Sequence, residues 1–159
     1  MIHSRKVRLA AWLGCALAIA QLAPGQQLKL NPRLDYNSDS MDGPLITGNN
    51  TTTGAVAGKP NYVMIYSEGC YNSKRQARRT VALANRYADQ VNFVIIDLDR
   101  PQSPAQQALV HTYYQGSIPD LILLDGDGKP LYNHAGEQSQ EVLSGILDKA
   151  LKHRPEERH

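Results

Sequence analysis

Residues 67 to 74 read Ser67-Glu68-Gly69-Cys70-Tyr71-Asn72-Ser73-Lys74, and the Cys70 thiol is the group there with the most chemistry. It follows the apolar run Tyr62–Tyr66 and precedes a segment rich in Arg and Ala, so it falls at a strand-to-helix junction. The unpaired N–H groups and the dipole of a helix start favour a thiolate at that position. Lys74 comes one turn later and Arg78 one turn beyond, on the helix face that begins at Cys70, and Arg75 and Arg79 widen the basic stripe. Lys74 and Arg78 are therefore the candidate thiolate-stabilising groups, although a run of cations is more often simply a solvated helix face. Three residues beyond Cys70, where a second sulfur would complete a C-x-x-C pair, stands Ser73. Its hydroxyl can donate a hydrogen bond to a thiolate but cannot close a disulfide.

The other cysteine, Cys15, lies in a segment with the parts of a secretory signal. Residues 1–25 hold a basic start from His3 to Arg8, an apolar run from Leu9 to Ala20, and small-residue exits at Ala18-Ile19-Ala20 or Ala23. The apolar run falls short of the ~20 residues of a comfortable membrane span, but left uncleaved it would serve as a membrane tether. Export implies an extracytoplasmic protein, periplasmic or secreted. It would leave Cys70 as a lone thiol in an oxidising compartment, with no internal disulfide to form. The 159 residues carry 17 Lys and Arg against 15 Asp and Glu; without Arg5, Lys6 and Arg8 the balance is 14 against 15, or −1. That argues against a nucleic-acid partner. At 42% hydrophobic and 20% charged residues, the composition is that of a globular domain with extensions.

The elements that must position Cys70 are legible in the periodicity. Residues 26–60 lack a periodic apolar pattern and read as an irregular arm or linker, with a short strand near Leu45-Ile46. Residues 61–151 read as the domain: strand Tyr62–Tyr66, helix Ser73–Ala88, strand Val91–Leu98, helix Pro104–Tyr114, a hairpin of Leu121–Leu124 and Pro130–His134, and helix Ser139–Leu151. Asp125-Gly126-Asp127-Gly128 supplies the hairpin turn; Lys129 and Pro130 break any calcium-ligand series. Residues 152–159 form a polar tail. This order predicts an α/β fold with a central mixed β-sheet flanked by helices. His111, His134 and His153 have no metal-ligand spacing, and neither a metal nor a cofactor is expected.

Taken in order, these segments resemble the thioredoxin-like superfamily. The stretch around Cys70 occupies the place of the family's W-C-x-x-C-K active site, and Ile118-Pro119 that of its cis-proline loop. Asp97-Leu98-Asp99 resembles the acidic end of its central strand, and Gly136 its glycine after the hairpin. The run from Val91 to Pro101 looks most like extracytoplasmic, membrane-associated members. The resemblance implies a thioredoxin-like fold and a cis Pro119 beside the Cys70 sulfur. It also implies that Ile118, Pro119 and Tyr71 bind an extended substrate.

The departures from the family matter more for function. Ser73 replaces the resolving cysteine and Gly69 the tryptophan. Met64 stands in place of a buried carboxylate, Ile95 or Ile96 in place of its lysine partner, and Arg78 in the region of a helix-kinking proline. The attacking group is kept and the machinery of release is not. The expected activity is therefore monothiol exchange with protein disulfide or thiol clients through Cys70, completed by an external thiol reductant. The alternatives are a redox-inactive, chaperone-like binding module and dimerisation through Cys70.

Overall fold

A computed structural model of the chain describes residues 27–40, 43–48 and 53–152. The segment 1–25 expected to be a signal, Cys15 and the tail beyond Lys152 lie outside the described residues. The elements are β1 (Leu28–Leu30), β2 (Ile46–Gly48), β3 (Asn61–Tyr66), α1 (Tyr71–Tyr87), β4 (Asn92–Asp97), α2 (Pro104–Tyr113), β5 (Asp120–Leu124), β6 (Pro130–Ala135) and α3 (Gln140–Lys152). The four strands of the main sheet run in the order β4-β3-β5-β6. β3 and β4 are parallel, joined by the crossover helix α1, whereas β5 is antiparallel to both β3 and β6. The mixed sheet follows from this order of elements.

β3 is buried at every residue, as a strand covered on both faces must be. Its side chains alternate between two cores. Tyr62, Met64 and Tyr66 join Phe93, Ile95, Leu121 and Leu123 beneath α1 and α3, which contribute Ala77, Leu83, Leu143 and Leu147. Val63 and Ile65 join Val94, Ile96 and Ile122 beneath α2, which contributes Leu109. Each fully buried Leu or Ile of this kind is worth roughly 1.5–3 kcal/mol.

The helix boundaries have local causes. Lys74 N–H donates to Cys70 O at 3.0 Å, which starts α1, and Ala88 ends it at φ 30°. α2 opens on a capping box of Ser103 and Gln106 with Pro104 in its first turn. The hairpin turn is held by Asp125, whose side chain accepts from Asp127 N–H at 3.0 Å and Lys129 N–H at 2.8 Å.

The arm departs from its expected linker character. β1 and β2 pair antiparallel, and Leu28, Tyr36, Leu45 and Ile46 are buried in the core beneath α1. These four, with the partly buried Leu30 and Leu34, dock it, too sparse to make a periodic pattern.

Candidate functional site

Parallel pairing aligns Tyr66, the last residue of β3, with Asp97, the last of β4, so the two following loops leave the sheet side by side. Asp99 in the second loop ties down the first. Its Oδ2 accepts from Ser67 Oγ at 2.6 Å and from Glu68 N–H at 2.7 Å. These two hydrogen bonds hold the Asp99 carboxyl below the ordinary carboxylate value. The turn closes with Cys70 N–H donating to Ser67 O at 3.3 Å, and Glu68, itself buried, accepts from Arg100 Nε at 2.6 Å. Cys70 is delivered by this pinned turn to the N-cap of α1, with φ −89° and ψ 118° and no side-chain capping bond.

The sulfur is half-buried and lies 4.0 Å from the carbonyl oxygen of Ile118. The Ile118–Pro119 peptide is cis and Pro119 is buried. The loop carrying it is clamped on both flanks. Pro119 O accepts from Gly136 N–H at 2.6 Å, and Gly136, at φ +105°, has the left-handed backbone that glycine adopts without strain. On the other flank, Gln115 N–H donates to Asp120 Oδ2 at 2.7 Å.

Ser73 is fully buried in the first turn of α1, and among the described residues its hydroxyl has no hydrogen-bond partner. Tyr71 stands at the rim, 37% exposed, with the Arg75 guanidinium 4.8 Å over its ring. Arg75 and Arg79 both pair with Glu137, which fastens α1 to the segment before α3.

The two cations expected at the thiol are engaged elsewhere. Lys74 is fully buried, and its ammonium donates to the carbonyl oxygens of Asp35, Ser38 and Ser40 at 2.9, 2.7 and 2.8 Å. All three protons of the ammonium are thereby used on the arm. Arg78 also turns to the arm, donating to Asn37 Oδ1 at 3.1 Å and lying 5.6 Å over the Tyr36 ring. Lys74, expected as a thiolate-stabilising cation, instead spends its hydrogen bonds on the docked arm and is not a solvated cation of the helix face.

Beside the Cys70 turn, a crevice of about 130 Å³ separates the arm from the loop after β4. Pro44 and Ile46 line one side, with Tyr66, Asp97 and Arg100 opposite; Cys70 is not among its lining residues. Burial pushes the Asp97 carboxyl up to about 6, against hydrogen bonds from Asp99 N–H and Tyr66 Oη that work the other way. Burial and the Asp97 charge push the Tyr66 phenol up as well, so it stays a donor, bonded to Asp97 Oδ2 at 3.0 Å. Among the described residues there is no cluster of three or more His, Cys, Asp and Glu that could hold a metal, and no helix long and apolar enough to cross a membrane.

The Cys70 turn and the cis-proline loop are two segments some fifty residues apart, and the Thioredoxin-like domain family model matches residues 50–151, which contain both. The chain belongs to the thioredoxin-like domain family. Among curated thioredoxin-like relatives, it is 28% identical over 97 residues to the thiol:disulfide interchange protein TxlA of Synechococcus elongatus. That alignment covers 61% of this chain and 49% of the relative. It is 26% identical over 98 residues to the TxlA homolog of Synechocystis sp., covering 62% of this chain and 53% of that one. The chain spans about half the length of the curated relatives it matches. The thioredoxin-like fold is also that of an uncharacterized thioredoxin-like protein from Clostridium perfringens, with TM-score 0.53 and 18% identity over 66% of this chain and 81% of that one.

Sequence reasoning singled out Cys70, Ser73, Tyr71, Ile118 and Pro119. It missed Asp99 and Glu68, which pin the turn, and Asp120, which clamps the cis-proline loop. The parallel alignment of β3 with β4 was the available signal for Asp99.

Proposed function

We propose that the protein is an exported thiol–disulfide exchange protein that works through one sulfur. The observation that carries this reading is the half-buried Cys70 thiol at a helix N-cap, 4.0 Å from the carbonyl beside a cis-proline. The Cys70 thiolate attacks a client disulfide; the Cys70–client S–S bond forms, the client S–S bond breaks, and the departing thiolate takes a proton from solvent. With Ser73 in place of a second cysteine, an external thiol resolves the adduct by attacking one of its two sulfurs. Attack on Cys70 frees the client thiol and leaves the external thiol on Cys70 as a mixed disulfide, which a second external thiol removes as its own disulfide. Attack by another client thiol on the client sulfur frees Cys70 and yields a rearranged client disulfide. The protein itself is neither oxidised nor reduced over the cycle, so isomerisation and removal of small-thiol adducts are the reactions that suit it. Ile118, Pro119 and Tyr71 line the path of an extended client, and the N-terminal segment directs the chain out of the cytoplasm or tethers it to the membrane. The names of the TxlA relatives support disulfide chemistry in general.

One observation favours a second reading, a thioredoxin-fold binding module: Met64 sits fully buried in the core where an acid–base carboxylate would assist release. The two readings separate in one experiment. A scrambled disulfide substrate with limiting glutathione is incubated with native protein and with Cys70→Ala. Exchange predicts that only the native protein speeds recovery, whereas equal recovery leaves the binding module.

A further inference from the structure

Besides the Ser73 hydroxyl, two buried side-chain oxygens among the described residues have no hydrogen-bond partner: Asp120 Oδ1 and Asn133 Oδ1. They are close in the fold. Asp120 follows the cis-proline and opens β5 opposite Ala135, while Ile122, two residues on, lies opposite Asn133. Because side chains alternate along a strand, Asp120 and Asn133 share one face of the sheet as a diagonal pair.

Both side chains reach the same short segment, the link from α2 to the cis-proline. Asp120 Oδ2 accepts from Gln115 N–H at 2.7 Å, and Asn133 Nδ2 donates to Tyr113 O at 2.9 Å. The second contact fixes the Asn133 amide, so its free atom is an acceptor. Two buried acceptors without a donor are costly, and an ionised carboxylate makes one of them more so. A single proton on Asp120 Oδ1 satisfies both.

We propose that Asp120 is held as a neutral carboxylic acid donating to Asn133 Oδ1, and that this bond positions residues 113–119 so that the Ile118 carbonyl meets the Cys70 sulfur. Asp120 is then a positioning residue for the site, a role that rests on the exchange reading only in its last step.

The surroundings agree. Burial pushes the Asp120 carboxyl up, opposed by the Gln115 and Leu121 N–H groups and by the charge of His134. His134 is the titratable neighbour on β6; β3 places Ile65 opposite Asp120, and the end of α2 brings the exposed His111 and the phenols of Tyr113 and Tyr114. Among the described residues, no cation is paired with the carboxylate.

The test is a carboxyl-carbon NMR titration of the full chain, with Asp120 assigned by its loss in Asp120→Asn. Hydrogen exchange at the Gln115 amide is measured in the native protein, Asp120→Asn and Asp120→Ala. Asp120 is expected to titrate well above the ordinary value of about 3.9. The Asn variant can accept from Gln115 N–H with its oxygen and donate to Asn133 with its nitrogen. It should therefore protect Gln115 about as well as the native protein does. The Ala variant should exchange there at least about tenfold faster. Titration in the ordinary range overturns the proposal, including the case in which a buried water donates to both oxygens beside an ionised Asp120. Equal loss of Gln115 protection in the Asn and Ala variants overturns it too. Neither readout needs disulfide exchange, so a failure of the proposed function leaves this test intact.

Discussion

Lys74→Met tests what the buried ammonium does. Its three protons go to carbonyl oxygens of the arm at 2.7 to 2.9 Å, and its side chain is fully buried. A hydrogen bond with a charged partner contributes about 1.5–3 kcal/mol, but three on one group do not add. Asp35 and Ser40 are exposed, so their carbonyls regain water if the arm lifts. Met fills much of the volume of the Lys stem and keeps the packing loss small. The expected net cost is therefore about 2–4 kcal/mol, near the low end for removing one partner of a buried charged contact. For a domain of this size that lowers Tm by roughly 6–16 °C. Thermal unfolding gives the first number and hydrogen exchange locates it. The Asn31 and Leu45 amides, bonded to Tyr36 Oη and Tyr66 Oη, should lose protection before the amides of β3. A variant that melts within a degree or two of the native protein, with the arm still protected, would show that the ammonium is not its clasp.

Asp97 gives a pH dependence whose sign is set by its raised value of about 6. The folded state holds this proton more tightly than the unfolded chain, so the contribution is complete below about pH 4 and is lost as pH rises through about 6. Asp97 is partly exposed, which discounts the effect to about 1 kcal/mol. Asp97→Asn should then be more stable than the native protein at pH 8 and no better at pH 4; parallel stability curves across that range would refute the assignment. Ser73→Cys restores a second sulfur in the first turn of α1, and insulin reduction with dithiothreitol should rise at least about tenfold over the native protein. No gain would mean that Ser73 is not placed to resolve an adduct on Cys70.

The main sheet and its helices were legible because β3, β4 and β5 are short apolar runs buried on both faces, and α1 has the Ala and Leu spacing of a packed helix. Observed boundaries differ from the periodicity by a residue or two at the ends. Ala88, the last residue of the expected helix, instead breaks it with a positive φ and stays exposed. The arm was less legible. Leu28, Tyr36, Leu45 and Ile46 are spread over nineteen positions of polar, turn-forming sequence, and only the tertiary fold brings them together. Lys74 was misread for the same reason. A lysine in a basic run has the pattern of a surface residue, and its carbonyl acceptors lie 34 to 39 positions away. Cys70 was legible from its place between an apolar run and a basic, Ala-rich helix, and Pro119 through the family resemblance. Asp120 was passed over because a carboxylate at the head of a strand carries no sequence mark of being buried.

The central claim is that Cys70 begins an exchange that the protein cannot finish alone. Its most direct measurement is intact-mass spectrometry of the protein mixed with a disulfide-linked dimer of a single-cysteine peptide, followed over time and then after addition of glutathione. The account predicts a single peptide adduct on Cys70 that persists until the added thiol releases it, and no adduct on Cys70→Ala. Absence of any adduct on the native protein, or its spontaneous release without added thiol, would contradict the account.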